Sequence, residues 1–126
     1  MDGKGYRGLH VWERAMEAAE ATYKLTAQMP RDEQYGLISQ MRRSAVSIAS
    51  NIAEGYGRKS TGDYLKHLAY ARGSLAELET QITLAVRVGC IERKDAMTSW
   101  DLCQEVGKML TRLVQSLETS PKKPKL

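Results

Sequence analysis

Histidines and carboxylates, the side chains that most often bind metals or transfer protons, do not fall at catalytic spacings in this 126-residue chain. A di-iron helical bundle requires Glu-x-x-His pairs, whereas the two histidines, His10 and His67, have Arg7 and Tyr64 three positions before them. No serine lies on the G-x-S-x-G turn that many hydrolases use. We therefore predict no catalytic residue, no metal, no cofactor and no small-molecule substrate.

The two cysteines, Cys90 and Cys103, are also isolated, because they form neither a C-x-x-C motif nor a zinc-binding spacing. Unpaired cysteines are typical of a reducing compartment. Residues 1–8 lack the apolar core of a signal peptide, and no apolar run reaches the roughly 18 residues that a membrane span needs. We expect a cytoplasmic protein without a membrane segment.

One short segment contains the residue types of a phosphate-binding loop. It reads Gly55-Tyr56-Gly57-Arg58-Lys59-Ser60. The segment lacks the Walker spacing and follows a predicted helix rather than a strand, which is the context that a phosphate-binding loop requires. We interpret it as a corner between two helices.

Positive charge is concentrated in two parts of the chain, although the net charge is only +4. Residues 42–72 contain six basic and two acidic side chains, and residues 120–126 add three lysines. Such clusters favour a polyanionic partner, but they are also common on solvated surfaces. The candidate phosphate contacts are Arg42, Arg43, Arg58, Lys59, Lys66, Lys122, Lys123 and Lys125.

A polar face runs along the predicted second helix, where serine and asparagine are mediocre helix formers. A surface that recognises phosphates is one interpretation. We favour a packed polar seam, because most buried polar groups satisfy one another. Gly73 would permit a close helix contact there, and we expect Arg72 and Glu79 in partly buried ion pairs, with Glu54 and Arg43 as candidate partners. The residues of the seam are Gln40, Ser44, Ser47, Ser50, Asn51, Glu54, Arg72, Gly73 and Glu79.

Helical periodicity organises the chain between residues 9 and 119 into one domain. Short links between the segments favour an all-α, antiparallel, up-down-up-down four-helix bundle. The apolar arc of the second segment is wider than one helix seam requires, which indicates that this helix is either central in the bundle or also buried against another subunit. The predicted ranges are a flexible N-terminus at 1–8, helices at about 9–29, 33–56, 61–88 and 93–118, and a disordered basic tail at 120–126.

Four motifs along residues 9–91 together resemble the 23S rRNA intervening-sequence protein family of bacterial four-helix-bundle proteins. The chain departs from the family at Ala49, where proline is frequent, and at Cys90, where tyrosine usually follows the glycine. The fourth helix matches by pattern alone. The motifs are Leu9-x-Val11-Trp12-x-x-Ala15, Met29-Pro30-x-x-Glu33-x-Tyr35-Gly36-Leu37, Gln40-Met41-Arg42-Arg43-Ser44-Ala45-Val46-Ser47-Ile48 with Ser50-Asn51-Ile52-Ala53-Glu54-Gly55, and Gly73-Ser74-Leu75-x-Glu77-Leu78-Glu79-Thr80-Gln81.

The resemblance implies an antiparallel bundle that assembles into a ring, commonly a homopentamer, without enzymatic activity. It also implies an association with RNA or the ribosome. A related branch, the accessory variability determinants of diversity-generating retroelements, binds a reverse transcriptase and nucleic acid.

Our hypothesis from the sequence is therefore a non-enzymatic, oligomeric, RNA-associated adaptor. The alternative is a protein-interaction scaffold, with a reverse transcriptase as an example of its partner. A third interpretation is an enzyme whose site forms between subunits from Glu54, Arg43 and His67.

Overall fold

A computed structural model describes residues 5–119. This part of the chain is all-α, as the sequence predicted, and contains no strand. The first four residues of the predicted flexible N-terminus and the predicted basic tail, residues 120–126, lie outside the described residues. The four helices are α1, His10–Thr26; α2, Ser39–Tyr56; α3, Thr61–Arg87; and α4, Arg93–Thr119.

The helices pack as a bundle in which α1 lies against α2 and α4, and α3 lies against the same two helices. Each helix contributes one buried apolar stripe at spacings of three and four residues, because that period places side chains on one face. The fully enclosed centre is formed by Ala15, Met41, Ala45, Ile48, Ile52, Leu68, Ala71, Leu78, Ala85, Cys103, Val106 and Leu110. Burial raises the pKa of the Cys103 thiol to about 12.

The start of the second helix differs from the prediction of one continuous segment from residue 33. A 3-10 turn, Arg31–Glu33, and a π-type turn, Gln34–Ile38, precede α2. The break lies at Gly36, whose backbone angles (φ −109°, ψ −111°) are not helical. The Glu33 carboxylate accepts a hydrogen bond from the Leu37 backbone N–H at 3.3 Å. This side chain therefore caps a new helical start that periodicity alone does not reveal.

Gly5–Gly8, the described half of the predicted flexible N-terminus, forms a 3-10 helix. The Tyr6 ring meets the Trp12 ring edge to face, with centroids 5.2 Å apart. Aromatic pairs in this geometry attract each other beyond the area they bury. This contact holds the segment against α1, where the sequence predicted a free terminus.

Both ends of α3 carry capping residues. The Ser60 hydroxyl accepts a hydrogen bond from the Asp63 backbone N–H at 3.0 Å, which satisfies one of the free donors at a helix start. Gly89 has a positive φ of 82°, and the Cys90 backbone N–H donates to the Ala85 carbonyl at 2.9 Å. This arrangement is the Schellman ending that glycine favours.

The close contact between α2 and α3 lies at Gly55 and not at Gly73, where the sequence predicted it. A Cβ at Gly55 would lie 2.8 Å from the His67 Cβ and 3.3 Å from the Tyr64 carbonyl oxygen. Gly73 is exposed, and a Cβ there would meet nothing within 4 Å. The prediction for Gly73 was wrong because this residue lies on the outer face of α3.

We predict that Gly73→Ala raises the free energy of unfolding by up to about 1 kcal/mol, because alanine restricts the unfolded chain and forms helix more readily. Gly55→Ala makes the same chemical change and should lower it by about 1–3 kcal/mol through overpacking. Urea denaturation followed by circular dichroism measures both variants. A Gly73→Ala protein that is less stable than the parent would contradict the open position.

Candidate nucleic-acid interface

The corner between α2 and α3 presents three of the predicted phosphate contacts. Arg58 and Lys59 lie on the connection that follows α2, and Lys66 lies in the second turn of α3. All three side chains are exposed. Within residues 5–119, Lys59 and Lys66 have no acidic partner. They are therefore positioned to meet an anion from solvent.

Arg58, in contrast, is held by an ion pair with Glu54. The Arg58 Nη2 atom lies 2.7 Å from Glu54 Oε1, and the His67 Nε2 atom lies 3.4 Å from the same oxygen. His67 Nδ1 lies 3.0 Å from the Asp63 carbonyl oxygen; a carbonyl can only accept, so Nδ1 is the donor. The hydrogen bond from Arg58, assisted by the charge of His67 when it is protonated, holds the pKa of Glu54 below its ordinary value.

The predicted ion pairs of Arg72 and Glu79 with Glu54 and Arg43 are absent from residues 5–119. Glu54 binds Arg58 instead, and Glu79 Oε2 accepts a hydrogen bond from Gln104 Nε2 at 2.7 Å. The register explains the error. The Ser47 hydroxyl lies 2.8 Å from that of Ser74, so Arg72 lies more than one helical turn from Glu54. A helical wheel gives the face of a residue but not its partner across a seam.

Two aromatic rings flank the basic corner, which is the surface formed by Arg58, Lys59 and Lys66. Tyr56 and Tyr70 are each about half exposed. Tyr56 meets the partly buried Tyr64 edge to face, with ring centroids 6.0 Å apart. The centroids of the Tyr70 and His67 rings are 5.5 Å apart. Exposed rings beside cations are the combination on which proteins stack single-stranded bases.

Arg42 and Arg43 do not join the basic corner. The rise of α2 from Arg42 to Tyr56 is about 21 Å, which exceeds the Debye length of about 8 Å at physiological salt. Arg42 reaches α1, where its Nε donates to Thr26 Oγ1 at 2.8 Å and its guanidinium lies 4.5 Å from the Tyr23 ring centroid. Arg43 is exposed and donates to Gln40 Oε1. The predicted basic set is therefore divided in space, and Lys122, Lys123 and Lys125 lie outside the described residues.

The polar seam between α2 and α3 contains fewer of the predicted residues than the sequence suggested. Besides the Ser47–Ser74 hydroxyl pair, Asn51 Nδ2 donates to the Ser47 carbonyl at 2.9 Å and to its hydroxyl at 3.0 Å. Ser44 is 1% exposed, and its hydroxyl has no partner within the described chain. Gln40, Ser50 and Glu54 are exposed. Ser74 was missing from the predicted set because its partner lies 27 positions away.

An apolar groove of about 770 Å³ lies between α1 and α2. Its walls include Trp12, Met16, Tyr23, Val46 and Ala49. Met16, Tyr23 and Val46 are 37%, 44% and 45% exposed, which is unusual for large apolar side chains that share one surface. The predicted wide apolar arc of α2 borders this groove, although periodicity did not assign Val46 to it.

Residues 5–119 contain no cluster of three or more His, Cys, Asp or Glu side chains able to hold a metal ion. In the same range, no helix combines the length and apolar character needed to cross a bilayer. The candidate site is the surface formed by the basic corner and its two tyrosines, Tyr56 and Tyr70.

We predict that Glu54 stabilises the fold at neutral pH and loses this effect in acid. Because its folded pKa lies below the ordinary value of 4.5, its contribution is present above that pH and disappears as falling pH protonates the folded state. Chemical denaturation at pH 7 should give the parent a larger free energy of unfolding than Glu54→Gln. This difference should disappear as the pH is lowered to 3. The same comparison in an Arg58→Gln background should show a smaller change, and an equal change would contradict the role of Arg58.

The chain shares both sequence pattern and fold with known proteins. The family model for the 23S rRNA-intervening sequence protein matches residues 7–112. A solved structure from Bacteroides thetaiotaomicron, described as a protein with unknown function from the S23 ribosomal protein family, is 25% identical with a TM-score of 0.73. The alignment covers 83% of this chain and 98% of that one. No curated protein matches the chain. The resemblance found in the sequence is thus confirmed, and the chain belongs to the 23S rRNA-intervening sequence protein family.

Proposed function

We propose that the protein is a non-enzymatic, oligomeric adaptor that binds RNA or associates with the ribosome. The observation that carries this proposal is the basic corner, where the exposed amines of Lys59 and Lys66 have no acidic partner in the described chain. Membership of a family described by its relation to 23S rRNA supports an RNA partner over other polyanions.

The chemistry of the corner suits single-stranded or unpaired RNA. Lys59 and Lys66 supply charge for phosphates, and the exposed rings of Tyr56 and Tyr70 supply surfaces for bases. Arg58 contributes less, because Glu54 neutralises much of its charge. In this proposal Arg43 is a peripheral contact, and Arg42 stabilises the packing of α1 on α2.

The absence of enzymatic activity is part of the proposal, and within one protomer the three residues that suggested an enzyme do not converge. His67 lies beside Glu54, but Arg43 precedes Glu54 by about 16 Å of helix. One protomer therefore does not bring the three side chains together.

The four helices of the protomer run antiparallel in this proposal, and residue pairs across the seams support that direction. Later residues of α1 meet earlier residues of α4, because Arg14 pairs with Glu105 while Thr22 pairs with Ser99. Between α3 and α4, Glu79 meets Gln104 while Leu75 lies beside Gly107.

Self-association through the apolar groove between α1 and α2 completes the proposal. A second copy would cover Met16, Tyr23 and Val46, whose exposure is otherwise unfavourable. Repetition of this contact around an axis closes a ring when the rotation permits, and a homopentamer is the ring that the family resemblance implies. A ring would repeat the basic corner and strengthen its field.

We predict that a fluorescein-labelled oligouridine binds the protein with an affinity that falls linearly with salt on logarithmic axes. Lys59→Gln/Lys66→Gln should reduce the slope by about 1.4, because each phosphate contact to a single strand contributes about 0.7. Fluorescence anisotropy at several salt concentrations measures both proteins.

Arg93→Gln/Lys94→Gln is the matched control, because it removes two exposed charges from the start of α4. Its slope should equal that of the parent. A parent without detectable binding at low salt, or a flat salt titration, would contradict RNA association.

We predict that the parent protein is a homo-oligomer at micromolar concentration and that Met16→Glu converts it to a monomer. A charge in the groove would lose its hydration on association without gaining a partner. Leu84→Glu, which alters a similarly exposed apolar residue on α3, should leave the oligomer intact. Size-exclusion chromatography with light scattering measures all three, and a folded monomeric parent would contradict the ring.

The alternative is a protein-interaction scaffold, and the apolar groove is the observation that favours it. In that case the groove, or a ring built from it, would hold a protein such as a reverse transcriptase. Affinity capture from nuclease-treated lysate distinguishes the two functions, because a protein partner survives the treatment and an RNA-dependent partner is lost.

A further inference from the structure

A second groove, of about 570 Å³, lies between α3 and α4 and is lined by three cations. Arg72 comes from α3, whereas Lys108 and Arg112 come from α4. All three side chains are exposed. Lys108 and Arg112 are four positions apart, which places them on the same face of the helix. The groove thus collects charges from distant parts of the sequence.

The cations of this groove have no acidic partner in the described chain, unlike several other cations of the bundle. Arg14 pairs with Glu17 and Glu105, and Lys94 pairs with Glu92. Glu79 is the one carboxylate on the described lining, and its Oε2 already accepts a hydrogen bond from Gln104. Three like charges around one groove repel each other, and a bound anion removes that repulsion.

Some of the residues that line the groove beside the cations are small. Gly107 has no side chain, and a Cβ there would lie 3.4 Å from Leu75 Cδ2. Ala76 forms the neighbouring part of the wall on α3. A chain of phosphates can therefore approach the cations without displacing a large side chain.

The groove lies near the basic corner along α3. Lys66 and Arg72 are separated by about 9 Å of helix rise, which is close to the Debye length of about 8 Å. The two clusters are therefore close enough for one nucleic-acid strand to contact both. In contrast, Arg93 lies about 22 Å from Lys108 along α4.

We propose that this groove, formed by Arg72, Lys108 and Arg112, binds the phosphodiester backbone of RNA as a continuation of the basic corner. The inference rests on the proposed RNA association and adds to it a second contact surface, on a different pair of helices. The cations hold phosphates, and the corner supplies the rings for bases, so one strand extends from the corner across α3 to α4.

The test is the salt dependence of oligouridine binding, measured by fluorescence anisotropy. Arg72→Gln/Lys108→Gln/Arg112→Gln should weaken binding and reduce the logarithmic salt slope by about 2, since three contacts to a single strand are lost. Arg31→Gln/Arg93→Gln/Lys94→Gln removes the same charge outside the groove and should keep the parent slope. Circular dichroism of each protein checks the fold. The single variants Lys108→Gln and Arg112→Gln should each reduce the salt slope by about 0.7.

The outcomes separate this inference from the proposed function. Equal reductions of the salt slope in the groove variant and in the control would show an effect of net charge. That result would contradict the proposal that the groove binds RNA. If Lys59→Gln/Lys66→Gln loses oligouridine binding while the groove variant binds like the parent, the groove is not a contact surface. The proposed function would then still stand. A parent that binds no oligouridine overturns both. Displacement of the RNA by equal concentrations of poly-glutamate would assign the groove to acidic protein segments instead.

Discussion

At Gly55 the backbone of α2 lies so close to α3 that no methyl group fits between it and His67. This approach sets the register of the two helices, because earlier residues of α2 then meet fixed partners on α3, including the Ser47–Ser74 hydroxyl pair. With the register fixed, Ile48 and Ile52 are fully enclosed. The remaining charged residues are left at the edges, where they form the basic corner and the ion pair of Glu54 with Arg58.

The surface that results is divided by chemistry. Cations without acidic partners lie at the corner and in the groove between α3 and α4, whereas the groove between α1 and α2 is apolar. A charged surface recognises the repeating phosphates of a nucleic acid, and an apolar surface gains free energy when another protein surface covers it. The proposed RNA contact and the proposed self-association would therefore use different faces of the same bundle.

The sequence predicted the helices well because periodicity and capping are local. Ser60 and Gly89 mark the ends of α3 through residues within a few positions of them. The break at Gly36 was missed, because it depends on the Glu33 side chain reaching the Leu37 backbone. Periodic spacing on its own does not predict such a bond.

The candidate site was predicted only in part, because partners across a seam depend on register. Arg42 was predicted as a phosphate contact from its charge alone, and its guanidinium lies over Tyr23 of α1. The basic groove escaped prediction for the same reason: Arg72 and Arg112 lie 40 positions apart in the sequence and meet only when α3 packs on α4.

The position of Arg42 has a consequence for assembly. Its guanidinium covers the Tyr23 ring, and Tyr23 is also part of the apolar groove wall. A surface that covered this groove would therefore meet the Arg42 guanidinium beside Tyr23, in addition to the charged side chains Glu20 and Lys24 of the groove wall. An entirely apolar partner would remove water from that charge without replacing its hydrogen bonds. The proposed self-association would therefore favour a partner surface with a hydrogen-bond acceptor at the matching place. In that proposal, the Arg42 guanidinium would limit the orientations in which a partner can dock.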